Sequence, residues 1–131
     1  MVIILKHSIN NVVPNMKFII TESKREKAVF YWLDKRFGDV EPYESDNYPN
    51  HIFFIKNGEV IFEFGGFSNS LTIKNDKIWE FVETFFGLDY FQTQDITTRW
   101  VNDRFNLNSK RSHEGGDRPK WKKIENEINN L

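Results

Sequence analysis

Few residues in this chain could do chemistry. It contains three histidines, His7, His51 and His113, and no cysteine. Disulfides, thiolate zinc sites and cysteine nucleophiles are therefore excluded. The histidines are far apart and fall on different expected elements, so they have no metal-ligand spacing. His113 and Glu114, followed by Gly115, Gly116 and Asp117, have the start of a zincin signature. That motif needs two histidines one helical turn apart; here a Gly-Gly pair breaks the helix and Asp117 replaces the second histidine. There is no G-x-S-x-G elbow, no G-x-x-x-x-G-K-[ST] phosphate loop and no G-x-G-x-x-G turn. Neither a cofactor nor a metal is expected.

What does stand out is the run NSKRSHEGGDRPKWKK, residues 108–123. Residues 1–98 carry a net charge of −4, residues 99–123 carry +5, and residues 124–131 carry −2. A basic end on an acidic body points to a polyanionic partner. Arg99, Arg104, Lys110, Arg111, Arg118, Lys120, Lys122 and Lys123 would neutralise phosphates, and Trp121 would stack on an unpaired base or anchor the last helix. Trp100 and Phe105 lie on the expected buried stripe of a helix and are not available for stacking. A third chemistry places His113 between Lys110, Arg111 and Arg118, moving a proton on a bound phosphodiester as in a small ribonuclease; no second base stands at a known spacing. The expected function is a non-enzymatic binding protein engaging nucleic acid or a nucleoprotein complex. The competing reading is a protein–protein inhibitor or adaptor of a phage or mobile-element type. Its contacts would be Tyr43 and Tyr48, in the loop 38–50, and Ile52, Phe54 and Ile61, on the mixed face of a hairpin.

The elements that must position these residues follow from periodicity. MVIILK and MKFII, the latter at residues 16–20, could pair as N-terminal strands; alternatively residues 1–15 are a loose leader. Ser23 with Glu26 forms a capping box for a helix over 24–37, whose apolar face is Val29, Phe30, Leu33 and Phe37, with Gly38 as a left-handed stop. Asn57-Gly58 is a preferred two-residue hairpin turn. It predicts Lys56 opposite Glu59 as an ion pair, and the pairs Ile55 with Val60, Phe53 with Phe62 and His51 with Phe64, these three on one core-facing side. Residues 70–74 read as the third strand of a meander. Asp76 and Asp95 are expected to cap helices over 77–86 and 96–106, with Gly87 as the stop between them. Residues 107–118 are expected to be a flexible loop before a C-terminal helix that starts at Pro119. A helix-turn-helix is disfavoured because the join over 87–95 is too long.

The stretch NHIFFIKNGEVIFEFGG resembles the terminal hairpin of the thioredoxin fold. Without cysteines, no redox activity is implied.

The whole chain of 131 residues is expected to be one α+β domain, an antiparallel sheet packed against four helices. Its 13 Phe, 4 Trp and 4 Tyr supply a large aromatic core. Scarce Ala beside abundant Asn, Ile, Lys and Phe suits coding in an AT-rich genome, such as that of a low-GC bacterium or its phage. No run is long enough to span a membrane, and no secretory signal is evident, so a cytoplasmic protein without a membrane partner is expected.

Overall fold

The computed structural model describes residues 22–115 and 118–131. The expected N-terminal strand pair and leader lie outside them. Among the described residues the order is α1 (Glu22–Phe37), β1 (Glu41–Tyr43), β2 (His51–Lys56), β3 (Glu59–Gly65), β4 (Ser70–Lys74), a π-helical turn (Asn75–Trp79), α2 (Glu80–Phe85), α3 (Tyr90–Phe105), β5 (Arg111–Gly115) and α4 (Pro119–Asn129). The fold is α+β, with one five-stranded sheet in the order β1-β2-β3-β4-β5.

The sheet is not wholly antiparallel. β1 to β4 are, but β5 joins β4 in parallel, with Leu71 opposite Ser112 and Thr72 opposite His113. A parallel neighbour needs a crossover, which α2 and α3 provide. β5 falls inside the segment 107–118 that its polar, Gly-rich composition marks as a loop. Its pairing comes from tertiary contacts: Ser112 is fully buried, and its hydroxyl bonds those of Thr97 (3.0 Å) and Thr98 (2.9 Å) on α3.

The hairpin turn forms as expected, with φ of 52° at Asn57 and 76° at Gly58. The register holds for Lys56–Glu59 and Ile55–Val60, then slips by one: Phe54 faces Phe62, Phe53 faces Glu63 and His51 faces Gly65. Ile61 is the extra residue of a β-bulge, which turns the rest of β3 over. Phe62 and Phe64 therefore join Phe54 on one side of the sheet, while Phe53 and Val60 pack on the other. The Lys56–Glu59 ion pair does not form; Lys56 binds Asp39 (2.7 Å) and Glu59 binds Lys74 (3.0 Å).

Both faces of the sheet are covered. One carries the large core, in which Val29 and Leu33 of α1, Val82 of α2 and Ile96, Trp100 and Val101 of α3 meet Phe62, Leu71 and Ile73. The other carries a smaller cluster of Phe53 and Val60 against Trp121 and Ile124 of α4.

Helix ends account for the remaining differences. Ser23 lies inside α1 rather than ahead of it. Gly38 does not have a left-handed φ; it is needed because a Cβ there would come 2.4 Å from the Asp34 carbonyl oxygen. Gly87 does have a left-handed φ, 65°. α3 starts at Tyr90, not 96, because Asp89 forms a reciprocal cap: its carboxylate accepts from the Gln92 amide (2.7 Å), and the Gln92 side chain accepts from the Asp89 amide (2.9 Å). Asp95 lies inside that helix. Asp76 lies in the π turn, and no side chain caps α2.

Candidate nucleic-acid interface

The basic segment divides into cations that the fold uses and cations that it leaves open. Arg99 bonds Glu26 and Asp95, the latter at 2.9 Å. Arg104 donates to the Gly38 carbonyl at 2.8 Å and lies 4.0 Å from Asp34. Lys120 reaches Glu63 at 2.8 Å. No such partner occurs among the described residues for the side chains of Lys110, Arg111, Arg118, Lys122 and Lys123.

Glu63 explains why α4 turns part of its basic start inward. The carboxylate is 4% exposed, and it accepts from Lys120 Nζ (2.8 Å) and Trp121 Nε1 (2.7 Å) and bonds His51 Nδ1 (2.6 Å). Burial, the largest single influence, pushes its pKa up. The bonds from Lys120, Trp121 and His51 outweigh it and hold the carboxyl below its ordinary value. Trp121 is 3% exposed, so it anchors α4 and offers no ring to a base. Two further carboxylates on α4 complete the attachment. Glu125 accepts the Val60 amide beside the bulge (2.9 Å), and Glu127 accepts from Tyr43 (2.6 Å), Ser45 (2.8 Å) and Asn47 (3.2 Å).

The two covered faces between them occupy the alternative protein-contact set. Phe54 and Ile61 are buried in the large core, at 2% and 3% exposure, and Ile52 packs against it. The Tyr43 hydroxyl is held by Glu127, and the Tyr48 ring packs on Phe53 and lies under Lys120. Among the described residues, the rings that do face solvent are Tyr31, Phe67, Tyr90 and Phe91.

Phe67 is the one that matters beside the basic surface. It sits in the turn between β3 and β4, 82% exposed. Two residues on, the Asn69 carbonyl accepts the Lys110 amide at 2.7 Å, and Ser70 pairs with Arg111. Residue-type counting overlooks Phe67 because one Phe among 13 carries no signal; the available cue was its place in a Gly-Gly-Phe-Ser-Asn turn, where no apolar periodicity explains a ring.

His113 stands between the two open arginines. It is half-buried and makes no hydrogen bond among the described residues. Burial first, then the Arg111 and Arg118 charges, push its pKa below the usual imidazole value. The helix-turn-helix reading meets a different obstacle from the one expected. The join, at 86–89, is short enough, but Thr97 and Thr98, which would have to face DNA, are buried against β5. No group of metal-ligating side chains occurs among the described residues, and none of their helices is long and apolar enough to cross a membrane.

No family model matches this chain, and neither a curated protein nor a solved structure matches it. The likeness to the thioredoxin fold stays at one hairpin. Fold and surface together define an α+β protein whose mixed sheet is covered on both faces, with cations that have no partner among the described residues at the start of β5 and at the start of α4.

Proposed function

We propose that this protein binds single-stranded nucleic acid, alone or within a nucleoprotein complex, through the surface of β5, the β3–β4 turn and the exposed side of α4. The observation that carries this reading is the set of cations without partners among the described residues, Lys110, Arg111, Arg118, Lys122 and Lys123, with the exposed Phe67 ring on the adjoining turn. Open cations release counterions from a phosphate backbone, and a free ring stacks on a base regardless of sequence. Arg99, Arg104 and Lys120 are spent inside the fold and drop out of the binding set, and Phe67 replaces Trp121 as the stacking ring.

Fluorescence anisotropy with a labelled single-stranded oligonucleotide tests it. Log affinity is expected to fall linearly with log salt, and Lys110→Glu with Arg111→Glu should flatten that slope by about 0.7 for each phosphate no longer neutralised. Phe67→Ala should weaken binding by about 1–3 kcal/mol and leave the slope unchanged. Absence of binding to RNA and DNA at low salt would overturn the reading and favour a protein partner at the exposed Tyr90 and Phe91.

A further inference from the structure

We infer that Arg111, His113 and Arg118 form a seat for a phosphate monoester, namely the terminal phosphate of a nucleic-acid strand; this rests on the binding reading above. Three observations converge on it. First, strand alternation places Arg111, His113 and Gly115 on the same face of β5, on the side of the sheet where α4 packs over β2 and β3. Second, Gly115 leaves the room in which Arg118 lies. A Cβ there would come 3.4 Å from Arg118 Nε and 2.4 Å from Thr72 Cγ2. Arg118 thus reaches back from the start of α4 onto the strand. Third, both guanidinium charges act on the same imidazole, and no carboxylate among the described residues neutralises them there.

Two like charges converging on a half-buried imidazole are unfavourable in an empty site, and an anion relieves them. The stoichiometry selects the anion. A phosphate monoester offers three non-bridging oxygens and up to two negative charges, whereas an internal phosphodiester offers two oxygens and one charge. Two guanidiniums and one imidazole match the former. Arginine also presents its donors as a planar fork suited to phosphate, so Arg→Lys is not equivalent here. Among the described residues the other charged groups on β4 and β5 do not compete. On β4 the residue opposite His113 is Thr72, and Lys74 is held by Glu59. Glu114 alternates to the opposite face of β5, which α3 covers.

Burial first, and then its two arginine neighbours, disfavour the charged form of the His113 imidazole. A bound dianion cancels the two guanidinium charges and lifts their penalty on the charged imidazole, so binding takes up a proton and tightens as pH falls from about 8 toward about 6, where the phosphate itself begins to protonate.

The test compares one single-stranded oligonucleotide bearing a 5′-phosphate, a 3′-phosphate or hydroxyls at both ends, by anisotropy at fixed salt. Inorganic phosphate is titrated in parallel against the His113 ring resonances by NMR. One phosphorylated end is expected to bind about tenfold tighter than the hydroxyl form, the scale of one added charge-assisted hydrogen-bond set. Arg118→Lys should keep the salt slope but lose that preference, and His113→Gln should lose its pH dependence. Equal affinity for all three ends would overturn the seat while leaving nucleic-acid binding intact. If no oligonucleotide binds, nucleic-acid recognition falls; a saturable His113 shift with phosphate would then retain the seat as an anion site, and an unmoved resonance would overturn it too.

Discussion

The two faces of the sheet are held by different physics. On one, three helices press Phe54, Phe62, Leu71 and Ile73 into a continuous apolar core, where stability follows buried area and shape. On the other, α4 buries only Trp121 and Ile124 against Phe53 and Val60, and fastens itself through Glu63, Glu125 and Glu127. An apolar face accepts many similar side chains. A face built on a buried carboxylate accepts few, because each donor left behind loses a specific acceptor. The open cations lie beside this second, stoichiometric face, where Arg118 Nε comes within 3.4 Å of the position a Cβ would take at Gly115.

The largest effect that would sharpen this contrast is on the apolar side. Trp100→Ala should cost about 3–5 kcal/mol in chemical denaturation, since it opens a void and also strips Asp34 of the indole donor (2.8 Å). Its effect should be nearly independent of pH between about 5 and 8, above the range in which carboxylates titrate.

Next comes Glu63→Gln, expected to cost about 2–3 kcal/mol at neutral pH by weakening three bonds to a buried acceptor. Glu63 has a folded pKa below its ordinary value, so its contribution is complete above the unfolded pKa and is lost as pH falls through the folded one. Wild type should therefore lose stability steeply below about pH 4.5, with a shallower acid limb in Glu63→Gln. Parallel acid limbs in the two proteins would show that the carboxylate does not hold α4.

The smallest effect is at the surface. Arg99→Ala breaks exposed pairs with Glu26 and Asp95 and should cost no more than about 1 kcal/mol, shrinking further in about 1 M salt. A larger, salt-insensitive loss would mean that the cations on the helical side matter to the fold as much as those beside α4.

Much of the apolar face was legible in the residues. The periodicity of Val29, Leu33 and Phe37, the Asn57-Gly58 turn and the start of α4 at Pro119 all express local rules, and they form as those rules require. Three things were not legible, each for a physical reason. The bulge at Ile61 is a tertiary choice, since both possible hairpin faces are apolar enough to be core. β5 has no strand periodicity, because Ser112 is satisfied by α3 hydroxyls rather than by an apolar neighbour. The inward turn of Lys120 and Trp121 depends on a glutamate far away in sequence, and charge counting treats every lysine as solvated. The start of α3, by contrast, was there to be read: Asp89 and Gln92 stand at capping-box spacing ahead of the apolar stripe.

β4 and β5 run side by side in the same direction, so no hairpin can bring them together. Their meeting requires closure of the chain from Lys74 to Arg111, the kind of sequence-distant pairing that slows folding. Molecules whose helical crossover has not yet packed would hold the first four strands without the fifth. Under the proposed function, affinity for a polyanion would then serve as an assay of conformational completeness, separating finished chains from those still short of their last strand.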